Sequence, residues 1–400
     1  MRQEYTEGGA GAVATLVESV AAATDVEGVF VLVGEAAAFT PGAGDTGGDG
    51  SETGPETWDV AVPVFGGVFP VVIHDGTETD RGTLVVGLPA GVELQSVTGL
   101  DDERVGIDTQ LDPEVLDRGH ETAFVLVDAY ASRVEEFVGE LFDTYGVEVT
   151  FVGGGAGCLD GPCGPSVFTH QGTISDGAVV ASTPLASAVG VEHGWEEVAG
   201  PLRVTDSDGR TVHSLDGEPA AERYRAIVAE HAGESPDPES FFEFAKGYPF
   251  GISRVGGETV VRDPYAVSDG SVDCFGAVPE GEFVHVLHGD RRRLVAAARA
   301  ARADTVDDTA EGSGEPGRDS PDGGIAGESL DHDSVGSPSF VFDCVSRVRY
   351  LGEAFAEELA AVVDGDGSTV GASTLGEIAD DDGRLEYHNK ATVVARLSDR

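Results

Sequence analysis

The sequence predicts an α+β fold made of two related modules, in which antiparallel-rich sheets are covered by helices. Two observations predict this class. Short apolar runs of strand length alternate along the chain with segments of helical periodicity. A glycine cluster followed by a polar turn also recurs at nearly the same spacing. A hydrophobic content of 40% argues against disorder throughout the chain.

Five short, largely apolar runs predict buried strands. They cover residues 29–33, 122–128, 147–152, 340–344 and 369–372. Because each run is shorter than a typical helix, we interpret them as strands of a buried sheet rather than as helical segments.

Four segments predict helices. Residues 134–142 and 355–362 place apolar side chains at spacings of three and four, which is the period of an amphipathic helix. A third helix is expected to start near Pro219, because proline suits the first helical position. A fourth is expected directly after Asp290, whose carboxylate suits an N-cap.

The recurring unit is clearest around two glycine clusters. Residues 65–67 lead to a hairpin at 71–86, and residues 153–155 lead to a hairpin at 167–180. Both hairpins contain a His-x-Gly-Thr turn between apolar runs, which is typical of antiparallel pairing. A weaker echo of the unit covers residues 371–394. The repeat therefore predicts related modules within one chain.

We assign the first module to residues 1–148 and the second to residues 149–400. Two stretches have compositions typical of solvated loops rather than of domains. Residues 40–57 are mostly Gly, Thr, Asp and Pro, and residues 303–338 are rich in acids and poor in large apolar side chains. We expect the first stretch to be a flexible loop and the second to be a disordered acidic insertion.

Acidic residues dominate the charge of the chain. It has 73 Asp and Glu against 24 Lys and Arg, for a formal net charge of -49, and Lys246 and Lys390 are its lysines. Such self-repulsion opposes a compact fold in dilute buffer, whereas at ~1 M salt the Debye length is only about 3 Å. This composition resembles that of proteins from salt-in halophilic archaea, and it predicts a protein that works in concentrated salt.

Other sequence features limit the compartment and the partners. No run approaches the ~20 apolar residues of a membrane span, and the N-terminus does not resemble a signal peptide, so we expect a cytoplasmic protein without membrane insertion. The basic cluster at residues 291–293 is too small to predict nucleic-acid binding. Cys158, Cys163, Cys274 and Cys344 are too few and too scattered for a disulfide framework. No second pair completes a zinc site around Cys158 and Cys163, so no metal and no other cofactor is predicted.

Several spaced clusters are richer in polar and aromatic residues than packing alone requires. They lie at residues 190–195, 215–220, 248–251, 262–264, 342–347, 376–378 and 388–392. In this order they resemble the FIST domain, a prokaryotic sensory module with an N-terminal and a C-terminal part, and residues 63–88 are similar to the N-terminal part. The resemblance implies a cytoplasmic sensor of small ligands such as amino acids or their derivatives. The sequence has no phosphate-binding Gly-x-x-x-x-Gly-Lys run, so we expect a stand-alone input module that signals to a histidine kinase or another signalling protein.

The polar residues of these clusters are the candidate ligand-binding residues. The planar fork of Arg347 matches a carboxylate, Glu377 could bind an ammonium group, and Asn389 could supply paired amide hydrogen bonds. Trp195 could form the wall of an apolar pocket. Each also has a structural interpretation, namely an ion pair, a turn or core packing. If the ligand interpretation holds, these four side chains should line one cavity.

Cys344, His193 and His388 complete the predicted ligand-binding set, and they also define the alternative function. Arg347, three residues after Cys344, could lower the pKa of the thiol, and either imidazole could act as a base. This alternative would be a cysteine-dependent hydrolase or transferase. The simpler interpretation of Cys344 is a buried small hydrophobe at the end of a strand. We therefore predict a sensor rather than an enzyme.

Overall fold

The computed structural model describes residues 2–40, 52–53, 58–74, 76–233, 241–254, 259–307, 339–363, 369–381 and 383–398. Antiparallel pairs dominate its sheets and helices pack against them, which confirms the predicted α+β class. Most of the predicted loop at 40–57 and residues 308–338 of the predicted acidic insertion lie outside the described residues. Residues 303–307, expected to belong to that insertion, instead form the end of a helix.

The first structural unit begins at the N-terminus. Its elements are β1 (Arg2–Thr6), α1 (Ala10–Ala21), β2 (Gly28–Gly34), β3 (Phe39–Thr40), β4 (Glu52–Thr53), β5 (Val64–Phe69), β6 (Val71–His74), β7 (Thr77–Thr79) and β8 (Thr83–Leu88). The central strand β2 pairs in parallel with β5 and antiparallel with β8, and β1 pairs antiparallel with β8. Strands β3 and β4 form a separate short pair.

The second unit repeats this arrangement. Its elements are β9 (Glu93–Thr98), β10 (Thr122–Asp128), α2 (Val134–Tyr145), β11 (Thr150–Ala156), β12 (Val167–Thr169), β13 (Gly172–Ile174) and β14 (Gly177–Thr183), with short 3-10 helices at Asp108–Gln110 and Pro113–Arg118. Strand β10 pairs in parallel with β11 and antiparallel with β14, and β9 pairs antiparallel with β14.

The third unit starts with β15 (Ala186–Glu192) and is then interrupted by an inserted subdomain, residues 196–288. The subdomain contains β16 (Glu196–Asp208), β17 (Thr211–Leu215), β18 (Glu218–Pro219), α3 (Ala220–Ala232), α4 (Phe241–Ala245), β19 (Phe250–Ile252), β20 (Val260–Arg262), β21 (Pro264–Ser268), β22 (Ser271–Cys274) and β23 (Phe283–His288). Its strands form one sheet, and Tyr224, Phe241 and Phe250 pack within a core of its own.

The third unit then resumes. Its remaining elements are α5 (Arg291–Asp307), β24 (Ser339–Cys344), α6 (Val345–Leu351), a 3-10 turn at Gly352–Ala354, α7 (Phe355–Val362), β25 (Thr369–Thr374), β26 (Glu377–Asp381), β27 (Arg384–His388) and β28 (Thr392–Ser398). Strand β24 pairs in parallel with β25 and antiparallel with β28, and β15 pairs antiparallel with β28. The pairing pattern of the first two units is therefore present a third time.

Each unit lends its hairpin to the sheet of another unit. Hairpin β12–β13 of the second unit pairs with β5 of the first, β26–β27 of the third pairs with β11 of the second, and β6–β7 of the first pairs with β25 of the third. This cyclic exchange closes the three sheets into a ring with pseudo-threefold symmetry. The weak C-terminal echo in the sequence is thus a complete structural copy.

A close backbone contact explains the repeated glycine clusters. In each unit, one strand pairs in parallel with the central strand. One glycine of this parallel strand faces the carbonyl oxygen of a valine in the central strand. An added Cβ would lie 2.1 Å from this oxygen in the first unit, 2.0 Å in the second and 1.8 Å in the third. The glycine–valine pairs are Gly66–Val31, Gly153–Val125 and Gly371–Val341. Only glycine fits such an approach.

Aromatic side chains fill the centre of the ring. Phe30, Phe124 and Phe340 precede these valines in the three central strands, and all are fully buried. Their ring centroids lie 5.5 Å apart for Phe30 and Phe124, 4.9 Å for Phe124 and Phe340, and 6.0 Å for Phe30 and Phe340. Burying each such side chain contributes about 1.5–3 kcal/mol. This shared core holds the three units together.

The four predicted helices are present. Helices α2 and α7 cover the predicted apolar stretches, and α5 follows Asp290, whose carboxylate accepts hydrogen bonds from the backbone N–H groups of Arg292 and Arg293. Helix α3 begins one residue after Pro219. The strand predicted at 147–152 begins later, at Thr150, because Val147 follows the helix-ending Gly146 and is 70% exposed.

Candidate functional site

The third unit departs from the apolar pattern of the other two at the end of its central strand. Asp343 occupies the position of Val33 in the first unit and Val127 in the second, and it is fully buried. A buried carboxylate is costly unless it is paired and hydrogen-bonded. Its environment should therefore be rich in polar partners, and the surrounding residues of the third unit supply them.

The Thr392 hydroxyl donates to the Asp343 Oδ2 at 3.0 Å. Arg347, four residues after Asp343 and also fully buried, has its Nε 3.5 Å from the Asp343 Oδ1. Its Nε and Nη2 groups donate to the two carboxylate oxygens of Glu358 at 2.9 and 2.8 Å. The remaining N–H groups donate to the backbone carbonyls of His193, Lys390 and Leu294. All five donors of the guanidinium are therefore used within the chain. The predicted carboxylate clamp has no donor left for a ligand, and Arg347 instead braces the site.

Lys390 and Arg262 tie the inserted subdomain to the third unit. Lys390 is fully buried, its Nζ lies 3.2 Å from Asp263, and it stands 5.1 Å from the ring of Trp195, whose Nε1 donates to the Lys390 carbonyl at 3.1 Å. Arg262 is also buried and donates to the backbone carbonyl of Tyr387 at 2.9 Å. The cations that stand out in this acidic chain thus have structural partners.

Glu377 lies behind these residues with Cys344. Its carboxyl group is fully buried and accepts from the Thr374 hydroxyl at 2.8 Å and the Ala391 N–H at 3.3 Å. Burial raises the pKa of Glu377 to about 8. This carboxyl group, which the sequence analysis considered as a partner for a ligand's ammonium group, is therefore largely uncharged at neutral pH. Burial also raises the pKa of the Cys344 thiol. A protonated, buried thiol disfavours the hydrolase or transferase alternative.

His193 and His388 are held in neutral form. Burial lowers the pKa of His193 to about 4 and that of His388 to about 3. The His193 Nδ1 accepts a hydrogen bond from the backbone N–H of Trp195 at 2.9 Å. Both imidazoles lie with Asn389 around a cavity of about 10 Å³, which has room for one water molecule. His193 and Trp195 also face a separate open groove beside α5.

A cavity of about 340 Å³, larger than the cavity of about 10 Å³ and similar in volume to the open groove of about 380 Å³, lies where the second unit, the third unit and the inserted subdomain meet. Of the predicted set, Cys344 and Asn389 line it. Arg347 and Glu377 are buried behind its wall, and Trp195 lies at the groove beside α5. The structure therefore does not bring the four side chains into one cavity. We call the larger cavity the main cavity.

The floor of the main cavity presents buried oxygen atoms. Asp263 is 1% exposed, and its Oδ2 accepts from the Ser346 hydroxyl at 2.6 Å. Its Oδ1 forms the ion pair with Lys390 at 3.2 Å but lacks hydrogen-bond geometry to any described residue. Asn389 is 3% exposed, and in the described ranges its Oδ1 also has no donor. Both Oδ1 atoms are covered by neighbouring atoms, so a ligand N–H group reaches them only after the floor side chains shift.

Arg349 places a cation at the rim. It follows Ser346 by three residues in α6, so both side chains project from one face of the helix toward the cavity. The Arg349 side chain is exposed, and its guanidinium lies 5.6 Å above the ring of Phe242. Stacking on a ring leaves the edge of the guanidinium free to bind a carboxylate. The sequence analysis missed this residue, although helical spacing from Ser346 would have indicated it.

Aromatic side chains complete the rim. Tyr130, Tyr265 and Phe275 are 38%, 40% and 44% exposed. Tyr265 and Phe275 stack with their centroids 4.5 Å apart, and the Tyr130 hydroxyl donates to the backbone carbonyl of Cys158 at 2.6 Å. The sequence analysis missed these residues as well, because they lie outside the polar clusters and become neighbours only in the folded chain.

Three further findings concern cysteines, metals and membranes. Cys158 and Cys163 form a disulfide in a short loop, although the sequence analysis expected no disulfide framework. Cys274 and Cys344 are free and buried. The described ranges contain no group of three or more His, Cys, Asp or Glu side chains placed to hold a metal ion. Within the same ranges, no helix has the length and apolar character required to cross a membrane.

Comparison with known families covers most of the chain. A FIST N domain model matches residues 56–218, and a FIST C domain model matches residues 220–380. No curated protein matches the chain. The two matched regions meet at the start of α3, inside the inserted subdomain. The exchanged hairpins β26–β27 and β6–β7 each pair with a strand of the other matched region.

Proposed function

The chain belongs to the FIST family, whose domains are sensory domains of signal transduction, and from that premise we propose that it senses an amino acid or a related small carboxylate in the main cavity. We further propose that it acts as a stand-alone cytoplasmic input module in concentrated salt. A histidine kinase or another signalling protein would detect the bound state.

The observation that carries this proposal is the pairing of a rim cation with floor acceptors. Arg349 lies one helical turn from Ser346, which is hydrogen-bonded to Asp263. An α-amino acid carries its carboxylate and its ammonium group on one carbon, so it needs a cation and an acceptor group close together. Arg349 offers a bidentate partner for the carboxylate, and Asp263 and Asn389 offer acceptors for the ammonium.

The buried acceptors also favour a bound ligand energetically. A desolvated polar group without a partner costs about 1–3 kcal/mol. The Oδ1 atoms of Asp263 and Asn389 are both buried without a hydrogen bond from a described residue, but the Asp263 Oδ1 has Lys390 as an ion-pair partner at 3.2 Å, so this cost applies in full to Asn389. A ligand N–H group that reached them would remove this cost. The cavity volume of about 340 Å³ lies within the ~300–1,000 Å³ that is common for small-molecule sites.

The position of the cavity supports a sensory role. Its walls come from two units of the ring and from the inserted subdomain, as Tyr130, Tyr265 and Ser346 illustrate. A ligand that contacts all three parts favours the arrangement in which they are close together. Binding would thus shift the equilibrium between arrangements of the subdomain and the ring, and a partner could recognise the difference.

A binding screen with the full chain tests the proposal. Thermal shifts and titration calorimetry would be measured in about 2 M KCl with amino acids, with their decarboxylated amines and with their deaminated acids, because such salt screens surface charges. A ligand at 100 times its Kd adds about 2.7 kcal/mol of stability. We expect the complete amino acids to bind and both truncated series to bind at least roughly tenfold more weakly.

Matched arginine variants identify the site. Arg349→Ala should lose at least roughly tenfold in affinity, as expected for a charged bidentate contact. Arg292→Ala removes an exposed arginine of α5, which does not line the main cavity, and should bind like the wild type. Absence of binding by every amino acid, or equal affinity for the two variants, would contradict the proposal.

A further inference from the structure

We propose that the main cavity is specific for aromatic α-amino acids and that Tyr265 and Phe275 determine this specificity. The inference rests on the proposed function and adds the chemical class of the ligand side chain. Arg349, Asp263 and Asn389 would bind the amino-acid head group, which is common to all members of the class. The aromatic rim would bind the side chain, which differs between members.

The distribution of exposed apolar side chains is the first argument. In the described ranges the exposed large hydrophobic residues are Tyr130, Val147, Tyr265, Phe275, Phe283 and Val306. Three of them, Tyr130, Tyr265 and Phe275, line the main cavity. A chain with a net charge of -49 otherwise presents a strongly acidic surface. Clustered exposed apolar groups at a cavity are typical of a binding site.

The orientation of the rings is the second argument. Tyr265 and Phe275 are stacked at a centroid distance of 4.5 Å with 30° between their planes, and both side chains line the main cavity. Offset stacking and edge-to-face contact are the arrangements that aromatic groups prefer. Phe242, which lies under the Arg349 guanidinium, adds a ring beside the proposed carboxylate site. An aromatic side chain can therefore meet rings while its head group reaches Arg349.

The polar groups of the other aromatic side chains are already used. The Tyr387 hydroxyl donates to the backbone carbonyl of Leu375, and the Tyr130 hydroxyl donates to that of Cys158. Both tyrosines thus have their hydroxyl groups bonded within the chain and contribute apolar surface to the cavity. Gly376 packs closely against this wall, because a Cβ there would lie 2.4 Å from the Tyr387 ring. Such a wall favours an apolar, flat side chain over a polar one.

Titration calorimetry with the wild-type chain measures the preference directly. Phenylalanine, tyrosine and tryptophan would be compared with leucine, methionine and alanine in the same KCl buffer. Burial of an aromatic side chain predicts a Kd roughly thirty-fold or more below that of alanine. Ring–ring contact predicts a further roughly three- to tenfold advantage over leucine.

Rim variants test which residues produce the preference. Phe275→Leu and Tyr265→Leu keep an apolar side chain but remove a ring, so they should lose most of the aromatic advantage, measured as the ratio of the leucine Kd to the phenylalanine Kd. Phe283→Leu is the matched control, because Phe283 is 50% exposed in the same subdomain and does not line the main cavity. Circular dichroism and melting temperature would verify that each variant folds.

The outcomes separate this inference from the proposed function. Aromatic preference that is lost in both rim variants and kept in Phe283→Leu supports the inference. If alanine or leucine binds as tightly as phenylalanine and binding still depends on Arg349, the inference is overturned while the proposed function stands. If no amino acid binds, or Arg349→Ala has no effect, both are overturned.

Discussion

Replacement of Arg347 by methionine should destabilise the fold strongly, because this arginine is a buried structural group. The change removes two charged hydrogen bonds to Glu358, at 2.9 and 2.8 Å, and leaves that carboxylate fully buried without its counter-ion. Hydrogen bonds to charged groups contribute about 1.5–3 kcal/mol each, and breaking a buried ion pair costs about 3–5 kcal/mol. We expect the free energy of unfolding to fall by about 3–5 kcal/mol.

Urea unfolding at constant KCl concentration measures the effect, with tryptophan fluorescence from Trp58 and Trp195 as the signal. A double-mutant cycle with Glu358→Leu then isolates the pair. Arg347→Met leaves Glu358 buried without its counter-ion, and Glu358→Leu leaves Arg347 with Asp343 at 3.5 Å as its remaining acidic partner. The double variant leaves neither member of the Arg347–Glu358 pair, and Asp343, whose pKa is raised by burial, is common to all three variants. The double variant should therefore be more stable than either single variant, since apolar replacements of buried pairs are often neutral or stabilising.

Arg349→Met is the matched control, because it removes the same side chain from the same helix at an exposed position. Its free energy of unfolding should remain within about 0.5 kcal/mol of the wild type, whereas its ligand affinity should fall. The reasoning would be refuted by the reverse pattern. In that case Arg347→Met would lose binding with little change in stability, and Arg349→Met would bind normally.

Three further measurements test the buried groups and the ring. Burial raises the pKa of folded Glu377 to about 8, whereas its unfolded pKa is about 4.3. Between these two pH values the folded state holds a proton that the unfolded state has released. The free energy of unfolding therefore falls as the pH rises through this range. Glu377→Gln should remove this slope, which is at most about 1.4 kcal/mol per pH unit in urea titrations from pH 5 to 8. Gly371→Ala should destabilise the fold by more than about 3 kcal/mol, because its Cβ would lie 1.8 Å from the Val341 oxygen; a smaller loss in urea unfolding would contradict the strand contact. Buried Cys274 and Cys344, whose pKa values are raised by burial, should react with a thiol reagent more slowly than free cysteine, and fast labelling of Cys344 would instead favour the enzyme alternative.

Local sequence patterns were sufficient for most elements. Residues 134–142 and 355–362 carry the helical period, and the strands at 122–128 and 340–344 are apolar runs of the right length, so both kinds of element follow from neighbours within the chain. The glycine at position 371 likewise marked the third unit. The exchange of hairpins could not be predicted, because it depends on pairing between strands that are far apart in sequence. The inserted subdomain added to this distance by separating β15 from β24.

Local sequence patterns also could not predict which single side chains form the candidate site. Arg347 and Arg349 have the same chemistry, and the sequence favoured Arg347 because it lies in the cluster at residues 342–347. The face of α6 that becomes buried depends on Glu358 in α7, one acid among 73 acidic residues in the chain. No local pattern distinguishes that acid from the others. Asp263 belongs to the cluster at residues 262–264, and its contact with Ser346 at 2.6 Å exists only after the subdomain packs on the ring.

Departure from the repeat connects the fold to the candidate site. The ring and its central phenylalanines are built three times, so the first and second units show which residues the architecture requires at each position. At the position of Asp343 those units have Val33 and Val127, so the fold itself needs only an apolar residue there. The buried charges of the third unit therefore serve something other than the ring. They hold α6 in place, and α6 carries the Ser346 and Arg349 side chains that face the main cavity.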